Sequence, residues 1–408
     1  MAVRHKQRRS NALRTPRALA GLIPWAGPCL GPLFLAEAVH GQHIEGFDFE
    51  LFQRQGYLLL PGFATADEVA RMRSSMAKLI DDWVPPPPLG TSSPSSSSSS
   101  SSPPSSATPS SSSSNRCPLL AADDSTTSAS STTTRPTDCA RAPATAGLSP
   151  LRPEASQAAD QKAGGIKDHS FMFDSATKAS IFLETSALQA NGTLPSGVEK
   201  RHLVRKVAHA IHLFPGPWRD FVHSEKVAQV LHGLKVERPV VAQSLYRLAP
   251  PQSAGVERHQ DSVTLYTEPP SVVGLWLALE DADEGNGCVQ VLPGSHKGAL
   301  RERLVQRPAS DCVGPDCPMT LEFIKLKADE EESESEFSPV VVKAGDLIVL
   351  HGTLEHLSRR GRDPNRSRES FQVHLVSGAA RWPADNWLQY PKNMSFEEVK
   401  SPTTPLAS

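Results

Sequence analysis

From Val240 to Val376 the chain is cut into short apolar runs, most of them bounded by Gly, Pro, Asp or Asn. Strands are predicted at Val240–Leu248, Val263–Tyr266, Val272–Leu279, Cys288–Leu292, Val340–Val342, Leu347–Leu350 and Ser370–Val376. Many short strands separated by turn residues bury their apolar faces best in a sandwich or small barrel. Helical signals flank this region. Phe49 to Gln55 reads as a short helix stopped by Gly56, and Tyr57–Pro61 as a strand. Thr65-Ala-Asp-Glu68 has capping-box spacing, so a helix is expected to run from there to about Leu79. Its apolar stripe would be Val69, Met72, Met76 and Leu79. The domain resumes over Ser170–Leu183, and another helix is expected near Pro217–Leu231. The fold class is mainly β with flanking helices.

Length alone, 408 residues, admits two domains. A long Ser, Pro and Thr-rich stretch at 85–165, with poly-serine from Ser95 to Ser102, has too few bulky apolar residues to offset its ordering entropy. It is expected to be a disordered insert. That leaves one domain in two parts, 46–84 and 166–392, with a tail at 393–408. Segment 1–45 is a basic arm: Arg4, Lys6, Arg8, Arg9, Arg14 and Arg17 precede the first acid, Glu37. It fits a transit peptide for mitochondrion or plastid, or else a plain basic tail on a cytoplasmic protein. The closing Pro-Leu-Ala-Ser is unlike a Ser-Lys-Leu peroxisomal address.

A net charge of −2 gives no sign of a global nucleic-acid or anionic-membrane binder. No apolar run is long enough to span a bilayer. The six cysteines are scattered, which favours a reducing compartment over a disulfide framework, although Cys312 and Cys317 are close enough in sequence to pair. The acidic run Asp329–Glu336 reads as a solvated loop.

Chemistry concentrates around His259-Gln260-Asp261. On a strand, side chains two apart share a face, so imidazole and carboxylate would project together. By itself the tripeptide also fits a surface loop. A second histidine near residue 350 would complete a site of two histidines and one carboxylate, which suits oxygen-activating Fe(II). Both His351 and His356 are candidates, and spacing does not choose between them. Such iron draws two electrons from a co-substrate, usually 2-oxoglutarate, whose far carboxylate needs a buried guanidinium. Arg368 opens the alternating Arg-Glu-Ser-Phe-Gln-Val-His-Leu, so its side chain can enter a barrel. Arg359, Arg360, Arg362 and Arg366 crowd the preceding loop, either as a solvated basic surface or as a rim for phosphates.

His259-Gln-Asp261, Leu265-Tyr-Thr-Glu-Pro269, Gly274-Leu-Trp276, Asn286-Gly-Cys288, Pro293-Gly-Ser-His296, His351-Gly352 and Arg366-Ser-Arg368 together resemble the phytanoyl-CoA dioxygenase family. Lys206-Val-Ala-His-Ala-Ile-His212 and Trp382-Pro-Ala-Asp-Asn-Trp387 narrow the likeness to its phytanoyl-CoA dioxygenase domain-containing branch. The resemblance covers about Phe47–Trp83 and Ser170–Gln389; the basic arm and the insert depart from it. It implies a double-stranded β-helix, a jelly-roll of cupin type, with Fe(II) held by His259, Asp261 and His356. It thereby selects His356 over His351. It implies that Arg368 binds the far carboxylate of 2-oxoglutarate. Lys206, Leu245, Trp276 and Ser358 match further co-substrate contacts, Leu245 standing where the branch has methionine. His296 is a candidate supporting residue behind the site.

The implied reaction takes molecular oxygen, decarboxylates 2-oxoglutarate to succinate and hydroxylates a substrate C–H bond. The carboxylate of Asp261 separates this chain from related halogenases, which carry a small residue there. A small-molecule or CoA-linked substrate is expected, and a modified nucleoside is an alternative. A different class of reading is a catalytically inactive metal-binding jelly roll serving as an interaction or regulatory module.

Overall fold

The computed structural model describes residues 44–84, 169–184, 194–309, 317–327 and 336–404, together with 187, 189, 312, 314 and 406. Nearly all of the basic arm, the Ser/Pro-rich insert and nearly all of the acidic run lie outside them. No described helix is long and apolar enough to cross a membrane.

Two antiparallel sheets pack face to face, giving the jelly-roll expected. The larger contains β1 (Tyr57–Leu60), β2 (Ala179–Leu183), β3 (Val204–His209), β4 (Pro239–Ala249), β6 (Val273–Ala278), β11 (Leu347–His351) and β13 (Arg368–Ser377), in the order β1-β11-β6-β13-β4-β3-β2. The short β14 (Glu397–Glu398) adds to β4. The smaller is β10-β7-β12-β5, from Ser338–Pro339, Val289–Val291, His356–Ser358 and Val256–His259. β8 (Glu302–Pro308) and β9 (Met319–Lys325) form a separate hairpin.

Period-two alternation decides what each face of the larger sheet does. Val273, Leu275 and Leu277 of β6, with Phe371, Val373 and Leu375 of β13, face a helical layer. That layer is α1 (Phe49–Gln55), α2 (Ala66–Asp82), α4 (Pro217–Val222) and α5 (Glu225–Gly233); α3 (Ser170–Ser175) precedes β2. Trp276 and Ala278 point the other way and pack with Val289 and Val291 of the smaller sheet. β4 carries a bulge: Leu375 pairs with Val241 but His374 with Gln243, leaving Ala242 extra. Val241 therefore packs under the helices, while Ala242 and Gln243, consecutive in sequence, are both on the inner side.

The capping box forms: the Thr65 hydroxyl accepts from Glu68 N–H, and the Glu68 carboxylate accepts from Thr65 N–H at 2.7 Å. The helix runs three residues beyond the expected end, and its fourth buried position is Ile80 rather than Leu79. The helix expected over Pro217–Leu231 is two, because Ser224 leaves helical geometry and caps the second. Val263–Tyr266 is not a strand. Asp261–Val263 is a single 3-10 turn, with Val263 N–H donating to Gln260 and Thr264 N–H to Asp261. Only Ser338–Pro339 of the region before Val342 joins the sheet; Val342 makes one isolated bridge to Ala282, and Val341 is exposed. Cys312 and Cys317 form a disulfide with Cα atoms 5.5 Å apart, in the connection between β8 and β9.

Candidate active site

His259 and His356 are direct partners across β5 and β12, which brings residues far apart in sequence side by side. Their rings lie 4.2 Å apart between centroids. Beyond His259, Gln260 keeps extended geometry and then the 3-10 turn begins. The extended link swings Asp261 to the same side as His259, although only one of the pair belongs to a strand. Each histidine Nε2 lies 3.7 Å from Asp261 Oδ1.

Both tautomers are fixed from behind. His259 Nδ1–H donates to the Glu257 carbonyl at 2.8 Å, and His356 Nδ1–H to the Leu354 carbonyl at 3.0 Å. The Nε2 lone pairs therefore face the carboxylate, the arrangement that metal-ligating histidines adopt. Burial, reinforced by nearby His356, lowers the His259 pKa to about 4, so the ring is a neutral donor at pH 7. Burial alone would push the Asp261 carboxyl up; the imidazoles of His374, His356 and His259 outweigh it and hold the group ionised. Among the described residues these three form the one cluster whose donor atoms, all within 4.8 Å of one another, could hold a metal ion. Donors about 2.1 Å from a common ion are at most about 4.2 Å apart, and 3.7 Å falls inside that limit.

The cluster opens into a cavity of about 360 Å³ between the sheets. Every residue named above for the co-substrate lines it: Lys206 from β3, Leu245 from β4, Trp276 from β6, Ser358 from β12 and Arg368 from β13. Cross-strand register stacks them in rows. Trp276, Gln372 and Leu245 are one row; Gly274, His374 and Gln243 are the next. Lys206 pairs with Arg247 at the far side.

Arg368 is buried, its guanidinium donating to the Gly287 carbonyl and sitting 5.9 Å from the Trp276 ring. Its Nε–H has no partner, and burial drives its pKa down to about 10. No carboxylate of the described residues balances it. The Ser358 hydroxyl, also buried in the wall, lacks a partner too. Two orphaned donors in a cavity beside a metal-binding trio fit a dicarboxylate such as 2-oxoglutarate.

His351 and His296 are elsewhere. Their rings stack on each other at 5.1 Å, and His351 also packs on Phe52 of α1. His351 Nδ1 is bonded to Thr353 Oγ1, and His296 Nε2 donates to the Gln53 carbonyl. They lock α1 to the sheet and do not reach the cluster. The loop arginines do not line the cavity either: Arg366 pairs with Asp283 at 2.6 Å and Arg360 donates to the Gln252 carbonyl. Reading the sequence missed Gln243, Arg247, Gln372 and His374. The last two sit at alternate positions after Arg368 and could have been found by extending that strand's inward set.

A family model described as phytanoyl-CoA dioxygenase matches residues 52–370, more than half of the chain. The chain belongs to the phytanoyl-CoA dioxygenase family. As a member of it, the chain is an Fe(II)- and 2-oxoglutarate-dependent dioxygenase. Among its curated relatives, phytanoyl-CoA dioxygenase 1 of Oryza sativa subsp. japonica is 37% identical over 230 residues, 55% of this chain and 76% of that one. Phytanoyl-CoA dioxygenase domain-containing protein 1 of Bos taurus is 35% identical over 229 residues, 55% of this chain and 75% of that one. Among solved structures, the α-ketoglutarate-dependent epimerase SnoN from nogalamycin biosynthesis aligns at TM-score 0.44 and 12% identity, covering 88% of this chain and 94% of that one.

Proposed function

We propose that this dioxygenase hydroxylates a C–H bond of a small organic molecule, or of the reactive end of a CoA-linked one, while 2-oxoglutarate becomes succinate. His259, Asp261 and His356 hold the ferrous ion. A ferrous ion held there would supply the two-electron oxidation that none of these side chains can perform. Arg368 and Ser358 clamp the far carboxylate, which fixes the co-substrate's other end toward the metal ligands. Trp276 and Leu245 wall the co-substrate in and exclude water, and Lys206 adds a cation at the cavity edge.

The observation that carries this reading is the coincidence, in one cavity, of a two-histidine, one-carboxylate cluster with a buried arginine lacking a counter-charge. The cavity mouth adds a preference. Met172, Leu304, Leu321 and Phe323 make it apolar, so a substrate with a hydrocarbon portion fits better than a bare polar solute. The loop arginines stand outside the cavity lining, which weakens the case for a phosphate rim. Succinate release measured over CoA esters, free acids and nucleosides tests the proposal. Turnover is expected with at least one class and is expected to vanish in Asp261→Ala; an Asp261→Ala enzyme as fast as wild type refutes it.

A further inference from the structure

One buried polar group beside the cluster has no role in the reading above. His374, on β13, is almost fully buried and lies on the side of Asp261 away from the other two histidines: its Nε2 is 3.3 Å from Asp261 Oδ2. Its Nδ1 is 3.2 Å from Gln243 Nε2. An amide nitrogen only donates, so Nδ1 accepts and the ring proton is on Nε2, facing the carboxylate. Turning the amide over would put the proton on Nδ1 and aim a lone pair at an anion 3.3 Å away, a repulsive arrangement. Oδ2 accepts no aligned hydrogen bond from the described residues; His374 Nε2 approaches it at 3.3 Å.

The backbone is arranged for this contact. Gly274, His374 and Gln243 form one cross-strand row. A Cβ at Gly274 would come within 3.0 Å of Asp261 Oδ2, so a side chain there would crowd the oxygen. Gln243 faces inward opposite His374, next to the bulge at Ala242.

We infer that His374 is a positioning residue: oriented by Gln243, it holds Oδ2 of Asp261 so that Oδ1 alone is presented to the metal between His259 and His356. The carboxylate would then offer a metal one oxygen rather than two. This rests on the assignment of the three ligands above.

The test uses the full-length, metal-free protein with Co(II) as the probe, read by its visible absorption and by the rise in Tm it causes. Wild type is expected to bind. His374→Ala is expected to weaken Co(II) binding by about 10- to 100-fold, the usual loss when a group orienting a ligand is removed. Its metal-free Tm should move far less than its metal-induced increment. His374→Gln, whose amide N–H reaches the same place as Nε2, should recover most of the affinity. Wild-type affinity in His374→Ala overturns the inference. So does equal weakening in both variants with a matching fall in metal-free Tm, which makes the histidine merely structural. If wild type itself fails to bind Co(II), the ligand assignment falls first.

Discussion

Replacing Arg368 by methionine separates a binding residue from a stabilising one. The guanidinium is buried with one N–H unmet and no carboxylate of the described residues beside it. Its fall from an ordinary 12.5 to about 10 corresponds to about 3 kcal/mol against the charged form. Methionine removes that cost and fills similar apolar space, at the loss of one bond to the Gly287 carbonyl, about 1 kcal/mol. Metal-free Arg368→Met is therefore expected to melt no lower than wild type. With 2-oxoglutarate the balance reverses. Two charge-assisted bonds to a buried carboxylate disappear, about 3–5 kcal/mol, so the co-substrate dissociation constant should rise by at least about 100-fold. Thermal shift against 2-oxoglutarate, with Co(II) present, measures both effects. Arg368→Lys keeps the charge without the fork and should regain little. A variant that melts many degrees lower yet keeps its 2-oxoglutarate-dependent shift refutes the reasoning, because the arginine would then be holding the fold.

Gly274→Ala places a methyl 3.0 Å from Asp261 Oδ2 and should weaken Co(II) binding by about tenfold with little change in metal-free Tm; unaltered binding counts against the crowding at that oxygen. His209 and His212 are buried with pKa values depressed by burial, to about 3 for His212, so they stay neutral in the fold and take up protons only on unfolding. Their contribution is intact above about pH 6.5 and is lost as pH falls toward the folded values, at about 2 kcal/mol each between pH 7 and 5. Urea unfolding of the metal-free protein across that range should show the decline, and a flat profile contradicts it. A chain lacking Pro85–Ala163 should retain succinate release, since the three proposed metal ligands and Arg368 lie outside that segment. Loss of turnover in a folded deletion variant would assign the insert a part in the chemistry.

Where sequence and structure agree, local pattern and tertiary demand coincide. The alternation after Arg368 was legible because one face of β13 is uniformly apolar and the other lines a cavity. The Thr65 capping box was legible because it is satisfied within four residues. Val263-Thr-Leu-Tyr266 has strand composition, yet the chain must turn immediately after Gln260 to bring Asp261 beside His259. Ser262 N–H accordingly donates to the Gly352 carbonyl rather than to a neighbouring strand. The β8–β9 hairpin escaped notice because its exposed positions mix apolar Met319 and Phe323 with charged Glu322 and Lys325, leaving no clear apolar alternation. His351 and His356 were inseparable by spacing. Only the pairing of His356 with His259 across β5 and β12 distinguishes them.

Strand β4 is sensitive to length in a way it is not sensitive to composition. Its two halves are out of phase: Val241 serves the helical layer, while Gln243, Leu245 and Arg247 serve the reaction chamber. Conservative exchanges on one side leave the other untouched. Removing a single amino acid between Gln243 and Arg247 would slide one half of the strand by one position against β13 and turn chamber-facing side chains outward, whereas removing the extra residue at 242 would leave Val241 opposite Leu375 and Gln243 opposite His374. Variation among natural or engineered versions of this enzyme should thus spare the spacing from Gln243 to Arg247 even where the residues themselves change.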